Sequence, residues 1–175
     1  MRKTLFKTRN LLFLFVAILC SQTKSNAQCL QIESILVAAC APPISPTQTL
    51  EGYNEMVRFK IGNTNQNVSN LEVDWPSNNW QGLIQNSTTA SKVTQLNASI
   101  TAAGGCGQLI EPTGGVLPAG ATVILITSYL FDVASNSFGA LNDTYYVIFQ
   151  NNSNVTTGHF ANHNTAAGLR TLEIA

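Results

Sequence analysis

The chain has 175 residues, of which 45% are hydrophobic and only 10% are charged, with nine basic and nine acidic side chains. This length fits one domain of ordinary size. The low charge excludes a polyelectrolyte disordered tail, and the formal net charge of zero provides no basic surface for nucleic-acid phosphates.

The N-terminal residues are typical of a secretory signal peptide. Four basic residues precede the apolar run 11–20. As a helix this run would span about 15 Å, half of a ~30 Å hydrocarbon core, so it is too short to cross a bilayer. The small residues Ser25 and Ala27 fit a signal peptidase, which predicts cleavage after Ala27. We therefore expect residues 1–27 to be a signal peptide and residues 28–175 to form one exported domain. A buried N-terminal helix is the alternative.

Removing the signal peptide changes the charge balance. Four basic residues remain against all nine acidic ones, a net charge of −5. A mildly acidic surface attracts neither nucleic acid nor anionic lipid. We therefore expect no nucleic-acid partner and no membrane insertion once the signal peptide is cleaved.

Three cysteines remain in the exported chain, Cys29, Cys40 and Cys106, and disulfides persist outside the cytoplasm. The residues between Cys29 and Cys40 are predicted to form one strand. It would hold the two about 35 Å apart, far beyond the ~7 Å that a disulfide allows between Cα atoms. A Cys40–Cys106 disulfide is favoured because Cys29 lies beside the new terminus, where order is poor. Three free, buried thiols are the alternative.

Hydrophobic alternation predicts strands along most of the chain. In segment 55–61, Val57 and Phe59 are expected to face inward, and Arg58 and Lys60 outward. A β-branched, almost wholly apolar run at 122–127 is typical of a central strand. The other predicted strands are 30–39, which we expect to enter the core, 71–75, 108–111, 144–150, 159–160 and 169–174.

One helix is predicted over residues 88–98. Ala90, Val93 and Leu96 recur at helical spacing, and Thr88 or Thr89 is the expected N-cap. Because the helix is short, we expect it to lie across one end of the sheets. With turn signals between the short strands, the pattern predicts an all-β fold, an antiparallel two-sheet β-sandwich with one short helix.

The chain resembles the lamin-tail type of immunoglobulin-like domain in three ordered segments, 54–59, 70–75 and 117–126. The last contains Leu117-Pro118-Ala119-Gly120 before an apolar strand. The chain is more closely similar to the N-terminal domain of gliding-motility-associated surface proteins of Bacteroidetes. Segments 35–40, 55–59, 110–118 and 158–162 carry that similarity, which covers essentially all of residues 29–175. It implies a lamin-tail-like sandwich in an exported protein of the type IX secretion system.

Reactive side chains do not converge on a recognisable catalytic motif. His159 and His163 are the only histidines, and no G-x-S-x-G nucleophile elbow accompanies them. Glu72 and Asp74 are two positions apart on the outer face of a predicted strand, so solvent exposure explains that pair. We expect no catalytic residue, no metal and no cofactor. A calcium site built on loop carbonyls with Glu51 or Glu55 is the alternative.

Aromatic side chains are the remaining candidates for ligand contact. Trp75 ends a predicted strand and is expected in the core, whereas Trp80, in the turn 78–82, is expected to be exposed. The resulting hypothesis is a non-catalytic adhesion or protein-interaction module with a protein or glycan partner at the cell surface. The alternative is a carbohydrate-binding or enzyme-appended module, since lamin-tail domains also occur beside hydrolases.

Overall fold

The structure, a computed structural model, describes residues 30–37, 43–45, 48–49, 51–75, 78–154 and 172–175. The predicted signal peptide, the two histidines, Cys29 and Cys40 lie outside the described residues. Within them the elements are β1 (Gln31–Leu36), β2 (Pro43–Ser45), β3 (Gln48–Thr49), η1 (Glu51–Tyr53), β4 (Met56–Lys60), β5 (Gln66–Asn67), η2 (Val68–Asn70), β6 (Val73–Trp75), β7 (Asn78–Asn79), β8 (Leu83–Ile84), α1 (Ser87–Ala102), β9 (Gln108–Ile110), η3 (Thr113–Gly115), β10 (Val116–Leu117), β11 (Thr122–Ile126), β12 (Thr144–Gln150) and β13 (Glu173–Ile174). The η elements are 3-10 helices.

The main sheet has the strand order β1-β4-β11-β12-β8, and β9 also pairs with β12. The predicted β-rich fold with one helix is confirmed, and most strand pairs are antiparallel as expected. The β11–β12 and β9–β12 pairs are parallel instead, so an entirely antiparallel arrangement is wrong. Parallel neighbours need a long crossover, and residues 127–143 supply one between β11 and β12.

Side chains of the main sheet enter two separate cores, one on each face. The first core lies between the main sheet and a layer of short strands, in which β10 pairs with β5, and β6 lies between β13 and β7. Its main-sheet members are Val57, Phe59, Val123, Leu125 and Ile148, and its short-strand members include Val73, Trp75 and Leu117. The second core joins the opposite face to α1 and the crossover, through Val93, Leu96, Ile100, Leu109, Ile124, Ile126, Phe131, Val147 and Phe149.

Burial on both faces explains the apolar sequence of β11. Val123 and Leu125 point into the first core, while Ile124 and Ile126 point into the second. All four are at most 4% exposed, so the prediction of a central strand is confirmed. A strand covered on both faces has no polar face to alternate with.

Helix α1 is longer than predicted and begins earlier. Its N-cap is Asn86, whose Oδ1 accepts hydrogen bonds from the backbone N of Thr88 (2.9 Å) and of Thr89 (3.1 Å). Thr89 is the third helical residue and completes a capping box. The predicted cap at Thr88 or Thr89 is therefore wrong. Ala90 is exposed, and Ile100 extends the buried stripe beyond the predicted end.

The helix covers a sheet face rather than an end of the sheets. Its stripe of Val93, Leu96 and Ile100 packs against Leu109 of β9 and the second-core side chains of β11 and β12, because residues at this spacing share one face. The Nζ of Lys92 donates a 2.6 Å hydrogen bond to the carbonyl of Phe131 in the crossover. Burial lowers the pKa of Lys92 from its ordinary value of 10.5, and nearby Asp132 partly opposes that shift. No helix among the described residues is long and apolar enough to cross a membrane.

Strand β1 forms one edge of the main sheet and does not enter the core along its whole length. Its pairing with β4 shifts between Ile32 and Ser34, and a bulge of this kind reverses the alternation of side chains. Ile32 packs against the first core, but Ile35 and Leu36 are each 44% exposed. The expectation that this segment is buried is therefore wrong for its described C-terminal half.

Candidate functional site

Trp80 lies where the two strand layers meet and is tied to both. Its backbone N donates a 2.8 Å hydrogen bond to the carbonyl of Val73, in the short-strand layer. The next residue, Gln81, donates from its backbone N to the Oε1 of Gln150 at 3.1 Å. The carbonyl of Gly82 accepts a 2.9 Å bond from the backbone N of Asn151. Segment 80–82 therefore bridges the layers and fixes the backbone position of Trp80.

Gln150, which bonds to segment 80–82 on the main-sheet side, is itself held by buried hydrogen bonds. Gln150 ends β12 and is fully buried, and its Nε2 donates a 2.9 Å hydrogen bond to the carbonyl of Thr127 at the end of β11. Thr127 in turn donates from its Oγ1 to the carbonyl of Gly52 (2.9 Å) and from its backbone N to the carbonyl of Glu55 (3.1 Å). Buried polar groups paired in this way are costly to separate. Gln150 therefore gives segment 80–82 a fixed point of attachment on the main sheet.

A cleft of about 650 Å³ opens beside Trp80, and we refer to it as the Trp80 cleft. Its floor and walls come from both layers, and the half-buried indole of Trp80 also packs against the first core. Its lining consists of Asn67, Val68, Ser69, Leu71, Trp80, Gly82, Leu83, Gln85, Gly114 and Gly115. None of these ten residues carries a formal charge on a side chain.

The polar lining groups of the Trp80 cleft are held by local hydrogen bonds. The Oδ1 of Asn67 accepts from the backbone N of Ser69 at 2.9 Å, which caps η2. The Nε2 of Gln85 donates to the carbonyl of Pro112 at 3.1 Å. Each bond fixes one end of an amide. Among the described contacts, the Nδ2 of Asn67 and the Oε1 of Gln85 make no hydrogen bond, so a donor and an acceptor remain for a ligand.

The turn that closes one wall of the cleft depends on two glycines. Gly114 and Gly115 have φ angles of 60° and 72°, in the left-handed region that side chains other than Asn and Asp rarely adopt. No heavy atom lies within 4 Å of the place that a Cβ of Gly114 would occupy. At Gly114 the wall of the cleft therefore consists of backbone with free space beside it.

A smaller, acidic pocket of about 290 Å³ also touches Trp80, lined by Leu71, Glu72, Val73, Asp74 and Trp80. Glu72 and Asp74 are exposed, as predicted for the outer face of β6. Asp74 also pairs across the sheet with Glu173 of β13. Among the described residues, no group of three or more His, Cys, Asp or Glu side chains could hold a metal ion.

A third pocket, of about 300 Å³, lies on the helix side of the main sheet near its β1 edge. Leu36, Met56, Phe138 and Leu141 are among its lining residues. Arg58, which also lines it, is engaged by Glu33, with 3.0 Å between Nε and Oε2. The charged group in this pocket is therefore already paired within the protein.

Trp75 lies in the core as predicted, but Trp80, which was expected to be exposed, is half-buried. Trp75 is 5% exposed and belongs to the first core, whereas Trp80 is half-buried and lines a cleft. A ligand contact by Trp80 stays a prediction. For the calcium alternative, Glu55 is fully buried, and the carbonyls of Gly52 and Glu55 accept hydrogen bonds from Thr127. These two carbonyl oxygens therefore already have hydrogen-bond partners within the protein.

Cys106 is exposed just after the end of α1, with its Sγ 3.7 Å from the Oδ1 of Asn142. The Cys40–Cys106 disulfide stays a prediction because Cys40 lies outside the described residues. His159 and His163 also lie outside them, so the role of each is likewise left as an expectation.

Sequence reasoning found Trp80 but missed its neighbours in the cleft. Asn67 lies between the predicted strands 55–61 and 71–75, and Gly114 and Gly115 lie between 108–111 and 122–127; Gln85 carries no motif at all. The only signal was turn composition, which indicates exposure but not which turns meet in space.

Comparison with models of protein families, with curated proteins and with solved structures finds no match for this chain.

Proposed function

We propose that this protein is an exported, non-catalytic module that acts in adhesion or protein interaction at the cell surface. We also propose that its β-rich fold is an immunoglobulin-like sandwich of the lamin-tail type, as in gliding-motility-associated surface proteins. The sequence resemblance and the signal-peptide pattern support both assignments. In this proposal residues 1–27 direct export, and the signal peptide is cleaved after Ala27.

The Trp80 cleft is the observation that carries the proposal. Its lining is aromatic, aliphatic, amide, hydroxyl and glycine backbone, which is the chemistry of binding rather than of proton transfer. Small-molecule sites are concave, mostly apolar and supplied with a few placed polar groups. An indole that is half-buried and packed against the first core can contact a partner with little loss of conformational entropy on binding.

The proposal is tested by co-sedimentation of the purified protein with outer-surface fragments of the producing cells. Wild-type protein should bind. Trp80→Ala should weaken binding about tenfold, since a buried aromatic contact contributes on the order of 1–2 kcal/mol. Phe138→Ala is the matched control, because Phe138 is also half-buried but lines the third pocket. Urea unfolding of both variants checks that each is folded.

Two results would contradict the proposal. One is a surface-binding affinity that folded Trp80→Ala retains in full. The other is a protein isolated from its host with Met1 intact inside the cytoplasm, because the exported form is expected to begin at Gln28.

A further inference from the structure

The lining of the Trp80 cleft is uncharged although residues 28–175, the expected exported form, are acidic. Asn67, Ser69 and Gln85 supply its polar side chains, whereas the exported chain carries a net charge of −5. A charged ligand would find no countercharge in this cleft, and an ion without a partner binds poorly where water is partly excluded. The cleft therefore selects for a neutral ligand.

The arrangement of groups matches a sugar ring. A hexose has an apolar face of C–H groups and a rim of hydroxyls, each of which can donate and accept a hydrogen bond. Trp80 offers a flat apolar surface, the Nδ2 of Asn67 offers a donor, and the Oε1 of Gln85 offers an acceptor. The volume of about 650 Å³ has room for about two sugar rings, within the usual range of small-ligand sites.

The polar groups are also oriented before a ligand arrives. The Asn67 amide is fixed through its Oδ1 by the backbone N of Ser69, and the Gln85 amide through its Nε2 by the carbonyl of Pro112. Each amide thus presents its other end in a set direction. Because side chains that are already ordered lose little entropy on binding, a ligand rich in hydroxyls can be held by few contacts.

We infer that the Trp80 cleft binds an uncharged glycan, with one sugar ring on the indole of Trp80 and its hydroxyls on Asn67 and Gln85. This inference rests on the proposed function, since it names the ligand class of the same cleft.

The test uses affinity electrophoresis of the full-length exported protein in gels that contain purified polysaccharides. The neutral probes are a β-glucan, an α-glucan, a mannan and a xylan; alginate is the charged probe. We expect retardation by at least one neutral probe and little change between about 0.1 and about 1 M salt, because a neutral ligand is not screened. Trp80→Ala should weaken this binding about tenfold, while Phe138→Ala should leave it unchanged.

A second readout does not depend on removing the indole. The chain has two tryptophans, and Trp75 is buried in the first core. A bound neutral glycan should therefore shift the fluorescence of Trp80 and protect it from acrylamide. The shift should be absent in Trp80→Phe, which keeps an aromatic ring for packing, and Gln85→Ala should weaken the affinity severalfold.

The outcomes separate this inference from the proposed function. Binding to cell-surface fragments through Trp80, with no retardation by any neutral probe or with retardation by alginate alone, overturns the glycan inference and leaves the interaction module standing. Failure to bind both the fragments and every probe overturns both. Neutral-glycan binding that is unchanged in folded Trp80→Ala overturns the placement of the site.

Discussion

At the scale of single residues, Gly107 shows how the absence of a side chain positions an element. Its backbone N donates a 2.8 Å hydrogen bond to the carbonyl of Leu141, in the crossover that leads into β12. A Cβ at Gly107 would overlap the carbonyl oxygen of Asp143. The segment that follows α1 can therefore lie directly against the backbone before β12 only without a side chain at this position.

Gly107→Ala is expected to destabilise the protein by about 1–3 kcal/mol, because the backbone of one segment must move to relieve the overlap. The free energy of unfolding in urea measures the effect. Gln108→Ala is the neighbouring control, since Gln108 is exposed and its backbone bond to Asp143 is retained. Equal stability of the two variants would contradict the close approach.

Residue-scale predictions from sequence succeed where a side chain's environment follows from local alternation. Val57 and Phe59 are fully buried and Lys60 is exposed, but Arg58, which was also expected to face outward, is half-buried and lines the third pocket. Period-2 alternation gave the direction of these side chains because β4 keeps regular pairing with β11. The same reasoning failed for Leu36, because the bulge in β1 reverses the side-chain direction, and the alternation of apolar residues did not reveal it.

At the scale of elements, α1 is defined by its cap as much as by its apolar stripe. The Oδ1 of Asn86 accepts from two backbone N–H groups, and the backbone N of Asn86 donates to the Oγ1 of Thr89 at 2.9 Å. Three groups that would otherwise lack partners in the first turn are satisfied by two side chains. The sequence contains several candidate caps in a row, Asn86, Ser87, Thr88 and Thr89, so the start could not be chosen from composition alone.

Asn86→Ala is expected to lower the free energy of unfolding by about 1 kcal/mol, the usual cost of removing an N-cap side chain. Thr94→Ala is a suitable control on the same helix. Its Oγ1 bonds back to the carbonyl of Ala90 at 2.9 Å, a contact that slightly disfavours helix, so its loss should be neutral or mildly stabilising. Thermal unfolding followed by circular dichroism at 222 nm distinguishes the two. A Thr94→Ala loss as large as that of Asn86→Ala would argue against the capping box.

At the scale of the whole molecule, β11 and β12 connect the two cores. Leu125 and Ile148 belong to the first core, and Ile126 and Phe149 to the second. Since neighbouring residues of one strand serve both cores, loss of packing on one face should be transmitted to the other. The described domain should therefore unfold as one cooperative unit.

Ile126→Ala is expected to cost about 2–5 kcal/mol, because Ile126 is fully buried and its truncation opens a cavity in the second core. Tryptophan fluorescence reports on the first core, where Trp75 and Trp80 pack, and circular dichroism reports on the backbone as a whole. Both urea transitions should shift together and stay coincident. Leu130→Ala is the control, since Leu130 is apolar but 41% exposed; its effect should be within about 0.5 kcal/mol.

Separate transitions for the two probes in Ile126→Ala would show that the cores unfold independently. A Leu130→Ala effect as large as that of Ile126→Ala would show that the loss does not come from the second core.

The sequence by itself determined the local features of this protein: the alternating strand 56–60, the apolar central strand 122–126, the helical stripe through Val93 and Leu96, and the difference between Trp75 and Trp80. These features follow from periodicity and burial, which act between near neighbours in the chain. Only the tertiary structure decided that β11 and β12 run parallel and that residues near 67, 80, 85 and 114 line one cleft. Strand pairing and cleft formation join segments separated by tens of residues, and no local preference specifies which distant partner each one meets.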